Sequence, residues 1–223
     1  MRLLAIDTAL EACSVGVAVA DGQPVIRSEV IARGHAERLM GMIEAAMAEA
    51  GLAFADLDRV AVTVGPGSFT GLRVGIAAAR GLALVTGSEV IGIGTLAVHA
   101  EDARFHIGPA PILAVLNAGR GEIYGQRFTA DGAAEGPAEI GSPERFAALI
   151  GRNTLIAGSG ADALAAVIGW DCEARTVHRR SSPDVAALLR LALVAPPASQ
   201  PPIPLYLRPP DAKPQTAARI ARQ

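Results

Sequence analysis

Alternation of apolar with polar or small residues, clearest over 13–20, and β-branched content mark strand-like runs at Leu3–Asp7, 13–20 and 24–31, and short polar turns, Asp21-Gly22 among them, separate these runs. The pattern predicts a three-stranded antiparallel meander. The period then changes: Ala36, Leu39, Met40, Ile43, Met47 and Ala50 recur at helical spacing with Glu37, Glu44 and Glu49 between them, and Gly51 supplies a stop, so a helix is predicted over 35–50. An apolar run at 60–64, a glycine-rich stretch, a helical run at about 71–86, a strand at 90–93 and a helix from Thr95 follow. A meander followed by alternating helices and strands predicts a mixed sheet with helices packed on it, as in a ribonuclease H-like layer.

The same order restarts downstream. Ile112-Leu113-Ala114-Val115-Leu116-Asn117 parallels Leu3-Leu4-Ala5-Ile6-Asp7, and Asp131-Gly132 follows Asn117 by 14 residues as Asp21-Gly22 follows Asp7, an offset of 110 at both places. With a second strand at 122–129 in register, this predicts two related lobes, divided as 1–103 and 104–223. In the second lobe helices are expected at about 143–151, 161–169 and 184–194 and a short strand at 154–157. Segment 196–214 is proline-rich and reads as an extended strap, and 215–223 as a short helix or a frayed end.

Composition narrows the class. The chain has 223 residues, 51% of them hydrophobic, enough for a packed core. No run of about 18 uncharged apolar residues is present, and Asp7 interrupts the N-terminal apolar stretch where a signal peptide would continue, so a cytoplasmic protein without a membrane segment is expected. Two distant cysteines, Cys13 and Cys172, form neither a disulfide framework nor a metal cluster. A net charge of −2, from 20 basic and 22 acidic residues, argues against strong general affinity for nucleic acid.

The chemistry concentrates in Gly65-Pro66-Gly67-Ser68-Phe69-Thr70-Gly71-Leu72-Arg73-Val74-Gly75, placed between a strand and a helix. Glycines let a backbone approach a ligand, and amides at a helix start attract anions, the ingredients of a phosphate cradle. Yet the only lysine is Lys213, so a P-loop is excluded. Ser68 has no Gly-x-Ser-x-Gly elbow around it, so a hydrolytic triad lacks support.

Two such lobes, the Asp7-Thr8 turn and the glycine loop resemble the actin, Hsp70 and sugar-kinase (ASKHA) superfamily. A closer resemblance extends over nearly the whole chain: Ala5-Ile6-Asp7-Thr8, Ala12-Cys13-Ser14-Val15, the undecapeptide 65–75, Gly81-Leu82-Ala83, Thr95-Leu96, Gly121-Glu122-Ile123-Tyr124 and Pro204-Leu205-Tyr206-Leu207-Arg208 are similar to the TsaB (YeaZ) family. The resemblance implies a non-catalytic partner of TsaD, the enzyme that makes N6-threonylcarbamoyladenosine beside the anticodon of tRNA. It implies pairing with TsaD, association with a TsaE-type ATPase, a homodimer, tRNA contact through the complex, no cofactor required by this chain, and at most a weak or shared ATP/ADP site at Asp7, Thr8, Gly65, Gly67 and Ser68.

A phosphotransferase of this architecture needs a carboxylate in each lobe to hold magnesium, and the counterpart of Asp7 is the neutral Asn117. TsaD-type relatives hold a metal with two histidines at i, i+4, of which only His99 remains here, while His35, His106 and His178 suggest no constellation; no metal is expected. Helix 71–86 is apolar or small on nearly every side, which predicts burial all round, and Met42 and Met47 are expected on the outside of helix 35–50. Family members pair through these two helices, so the resemblance implies an interface at His35, Leu39, Met42, Ile43, Met47, Arg73, Ala77 and Arg80. An independent ATPase or kinase and a metallopeptidase-like hydrolase are the alternatives.

Overall fold

The computed structural model describes residues 1–19, 22–31 and 33–208. Asp21 of the first Asp-Gly turn, the end of the strap from residue 209 and the C-terminal segment 215–223 lie outside the described residues.

The chain folds as two copies of one pattern. In the first, β1 (Leu3–Asp7), β2 (Ala12–Ala18) and β3 (Val25–Val30) form the predicted antiparallel meander, α1 (His35–Glu49) leads to β4 (Arg59–Gly65), and α2 (Phe69–Thr86) leads to β5 (Glu89–Gly94) and α3 (Thr95–Ile107). In the second, β6 (Ile112–Gly119), β7 (Glu122–Phe128) and β8 (Glu139–Gly141) are followed by α4 (Pro143–Ala147), β9 (Leu155–Ala157), α5 (Ala161–Ile168), α6 (Trp170–Arg175), β10 (Thr176–His178) and α7 (Val185–Val194). The sheet orders are β3-β2-β1-β4-β5 and β8-β7-β6-β9-β10, identical under the repeat. The central pairings match as well, with β1 parallel to β4 and β6 parallel to β9. Strands β8 and β10 and helix α6 were not anticipated, and α4 ends before the predicted 151, because each of these elements is held by tertiary neighbours rather than by a long periodic signal.

Strands β1 and β2 are buried at every position, since helices cover both faces of the first sheet. One face carries α1 and α2, whose Leu39, Ile43, Met47, Ile76 and Ala79 pack on Leu4, Ile6 and Val62. The other carries α7, whose Val185, Leu188 and Leu189 pack on Leu3, Ala5 and Ala61 together with Val98 of α3. Helix α3 turns its Leu96, Ala100 and Ala103 onto Ile112, Ala114 and Leu116 of the second sheet, and α4, α5 and Cys172 of α6 close that sheet's far face around Phe146 and Leu164. The closing helix of each repeat thus serves the other repeat's sheet. Val185–Val194, which lies beyond residue 103 in the second repeat, thus packs on the first sheet. β3 is an exposed edge, guarded by the Arg27–Glu49 and Arg38–Glu29 ion pairs.

Arg59 joins these layers to the strap. Its side chain is 6% exposed, its Nε donates to Glu89 at 2.7 Å, and Nη1 donates to the carbonyls of Ala192 and Ala195 at the end of α7. Glu89 in turn accepts from Ala198 N at 3.0 Å as the strap departs. Replacing Arg59 with Met keeps the aliphatic stem and leaves the carbonyls and Glu89 unpaired. The expected cost is about 3 kcal/mol, read as a lower urea midpoint at unchanged m-value.

Candidate functional site

The turn after β1 and the loop after β4 meet backbone to backbone. Ser68 N donates to Ala9 O at 2.7 Å, and the Thr8 hydroxyl donates to Gly71 O at 2.8 Å. Ser68 caps α2 by accepting from Gly71 N at 3.2 Å. A Cβ at Gly67 would stand 2.3 Å from Ala9 O, one at Gly71 2.1 Å from Thr8 O, and one at Gly75 2.4 Å from the Thr8 hydroxyl. The glycines thus admit the protein's own turn, and the Ser68 and Gly71 amides are spent inside the chain. Gly65, at φ 118°, gives way in the same manner to Leu205 O.

Asp7 is buried, accepting from Ala9 N at 3.0 Å and from the Thr63 hydroxyl at 2.7 Å, while its Oδ2 has no protein partner. Burial pushes its carboxyl above the usual range, against the pull of those two donors. Asn117 repeats the arrangement in the second lobe, accepting from Gly119 N at 2.8 Å as Asp7 accepts from Ala9 N, again at an offset of 110. The second lobe has its own glycine loop, Gly158-Ser159-Gly160 after β9, where a Cβ at Gly158 would stand 2.2 Å from Val115 O and Ser159 Oγ accepts from Asn117 N at 3.2 Å. This loop was missed, although Gly-Ser-Gly directly after an apolar run was its signal.

Between the lobes lies a cleft of about 910 Å³, walled by Ser68, Thr70 and Gly71 on one side and Asn117, Ala118 and Gly119 on the other. Of the five residues expected in a nucleotide loop, Ser68 reaches this cleft; Asp7 and Thr8 are buried beneath it, and Gly65 and Gly67 pack on Leu205 and Ala9. His35 faces the cleft as well, its Nε2 donating to Leu10 O at 3.1 Å.

The helix surface differs from expectation in both directions. Leu39, Met42, Ile43 and Met47, expected at a partner interface, are buried in the core of their own lobe, because α1 needs that whole stripe to cover β1 and β2. Helix α2 is not buried all round. Leu84 and Val85 are 86% and 85% exposed, and Phe69, Arg73, Ala77 and Arg80 share the open side. By length and composition α2 would suffice to cross a bilayer, with mean hydropathy 1.3 over 18 residues, but its inner face is lobe core and its outer face carries two arginines.

The histidines come together where the sequence suggested nothing. His99 is buried with its ring centroid 5.6 Å from that of His178, and Asp102 receives Arg180 at 3.1 Å, His106 at 3.5 Å and His178 at 3.6 Å. Among the described residues no three acidic, histidine or cysteine groups converge in a way that would hold a metal ion. Burial, with His178 alongside, pushes His99 down to about 3, and burial lowers His178 too.

Two repeats of one ribonuclease H-like layer enclosing a cleft define a two-lobed protein of the actin, Hsp70 and sugar-kinase superfamily. A family model described as TsaD, tRNA N6-adenosine threonylcarbamoyltransferase, matches residues 26–166. The tRNA threonylcarbamoyladenosine biosynthesis protein TsaB of Escherichia coli is 40% identical over 131 residues, which span 59% of this chain and 56% of that protein. An uncharacterized protein of Mycobacterium tuberculosis is 38% identical over 217 residues, 95% of this chain and 94% of that one. The solved structure of YeaZ from Pseudomonas aeruginosa is 30% identical with a TM-score of 0.77, covering 92% of this chain and 99% of that one. The chain belongs to the TsaB (YeaZ) family.

Two measurements test this geometry. Gly71→Ala should lower the thermal midpoint by several degrees, since the methyl meets backbone, whereas Gly81→Ala in the same helix meets nothing within 4 Å and should raise it. His99 has an ordinary value of 6.5 and a folded value of about 3, so the unfolded chain takes up that proton first. Stability should therefore fall as pH drops through this window. Asp7 contributes the opposite sign, because its raised carboxyl favours the folded chain on acidification. Urea midpoints between pH 7 and 4 should fall less steeply for His99→Leu than for the parent chain.

Proposed function

We propose that this chain is the non-catalytic docking and activating subunit for a TsaD-type transferase in tRNA threonylcarbamoyladenosine formation. The observation that carries this reading is the open face of α2, where Phe69, Ala77, Leu84 and Val85 lie exposed beside Arg73 and Arg80. A helix this apolar on its solvent side fits a partner helix, with Ala77 and Gly81 permitting close approach and the arginines selecting an acidic edge. Family membership supports the same reading, since the E. coli relative carries the threonylcarbamoyladenosine biosynthesis name. In this reading the chain makes no bond, requires no cofactor of its own and acts in the cytoplasm. A TsaE-type ATPase joins the complex, and tRNA is met through it. A second copy of the chain competes for the same face, so homodimer and heterodimer exclude each other.

The cleft supports a second reading, ATP turnover by the isolated chain. Against it stand the buried Asp7, the neutral Asn117 and a glycine loop whose Ser68 and Gly71 amides are already bonded. Magnesium-dependent hydrolysis by the purified chain alone would favour it.

Ala77→Glu and Leu84→Asp alter exposed side chains. Each is expected to weaken binding to the transferase at least tenfold, by calorimetry, with the urea midpoint unchanged, and to abolish tRNA modification in a reconstituted mixture of transferase, adenylate-forming enzyme, ATPase, threonine, bicarbonate, ATP and tRNA. Unchanged binding would overturn the reading.

A further inference from the structure

The motif Pro204-Leu205-Tyr206-Leu207-Arg208 is not accounted for by docking through α2 alone, and its contacts join three parts of the molecule. Leu205 N donates to Val64 O at 2.7 Å, laying the strap along the end of β4 and over Gly65, where only the missing Cβ leaves room for Leu205 O. Tyr206 sits on the open face of α2. Its hydroxyl accepts from Arg73 Nε at 2.9 Å, its ring lies 4.9 Å from that of Phe69, and the Arg73 guanidinium covers Phe69 at 3.8 Å. Arg208 reaches the other lobe, where Nη1 donates to Ala118 O at 2.7 Å and Nη2 pairs with Glu122, on the β6–β7 hairpin.

We infer that residues 205–208 form a short tether that couples occupancy of the α2 face to the width of the interlobe cleft. The inference rests on the docking role proposed above and adds its regulation. The Tyr206 and Arg208 anchors are only two residues apart, so their backbones stand within about 7 Å of each other, and a displacement at one reaches the other through a short stretch of chain. The hairpin held by Arg208 supplies Ala118 and Gly119, which form the second-lobe wall of the cleft. The first turn of α2 supplies the opposite wall through Ser68 and Thr70, and offers Phe69 on its other side to the strap and to solvent. Helices α3 and α7 join the lobes in the layer between the sheets, and Ser181 and Ser182 join the second lobe to Glu11 and Ala12. Arg208 instead ties the hairpin to the helix that meets the partner.

A partner seated on Phe69, Arg73 and Tyr206 immobilises one anchor and so holds the hairpin at the other. By reciprocity, releasing the hairpin must weaken docking.

Hydrogen exchange of the full chain, alone and with the TsaD-type transferase of the same genome, tests this. In the parent chain the partner is expected to slow exchange in α2 and in segment 116–124. In Arg208→Ala protection of α2 remains, protection of 116–124 is lost, and affinity falls about five- to tenfold. Glu122→Gln, which weakens the anchor from the hairpin side and leaves every docking residue intact, should shift both readouts in the same direction and keeps the test available if Arg208→Ala fails to fold. Protection confined to α2 in the parent chain overturns the tether while leaving docking intact. Equal protection of 116–124 with and without the anchor means direct contact and also overturns it. Absence of protection in α2 overturns the docking role and the tether together.

Discussion

The peptide backbone of Thr8 and Ala9 lies directly on that of the glycine loop, and most of the first lobe's geometry follows from this contact. Gly67, Gly71 and Gly75 recur every four residues, so along the start of α2 they open one groove without side chains, and the turn after β1 fills it. The contact sets how closely α2 approaches the sheet, which of its faces becomes core and which remains open. It also decides the chemistry. A glycine loop between strand and helix is a ready anion site only while its amides point at solvent. Here Ser68 N and Gly71 N are bonded within the chain, so these two amides join the loop to its neighbouring elements.

The same design recurs in the second lobe with different residues. Asn117 turns the chain as Asp7 does, and the loop after β9 again carries glycines, Gly158 and Gly160, which lie against Val115 and Leu116 of β6. Both turns need only an oxygen acceptor two residues before an amide, and a carboxylate and a carboxamide supply it equally well. An asparagine can therefore stand where a phosphotransferase would need charge without disturbing the fold. The lobes differ in their outer helices: α4, α5 and α6 are short, while α1 and α2 run 15 and 18 residues, and the long pair gives the first lobe its broad surface.

The meander, the alternation of helices and strands and the internal repeat were legible because each is written in local periodicity. So was the strap, through its prolines. Burial was harder to read. Met42 and Met47 lie on the inner stripe of α1 with Leu39 and Ile43, and composition alone did not separate an adaptable surface methionine from one filling a core. Leu84 and Val85 failed in the opposite sense, since a helix rich in alanine and glycine has no polar face to announce its exposed side. The cluster of His99, Asp102, His106 and His178 was invisible because β10 and the loop after it bring the second half of the chain onto α3, a juxtaposition set by topology. Arg59 was likewise silent: a lone arginine at the start of an apolar strand gives no sign that it will cap a helix more than a hundred residues later.

The exchange of closing helices bears on how the molecule holds together as a whole. Each sheet has one face covered from its own repeat and the other by a helix that the opposite repeat contributes, with α7 on the first sheet and α3 on the second. Cutting the chain between the repeats would not yield two small folded proteins. The N-terminal piece would keep α1 and α2 and expose the apolar underside of β1, β2 and β4, and the C-terminal piece would lose α3 from β6 and carry α7 with nothing to lie on. Two repeats read in the sequence are thus one cooperative unit in unfolding, and neither half is a module that could be moved to another protein on its own.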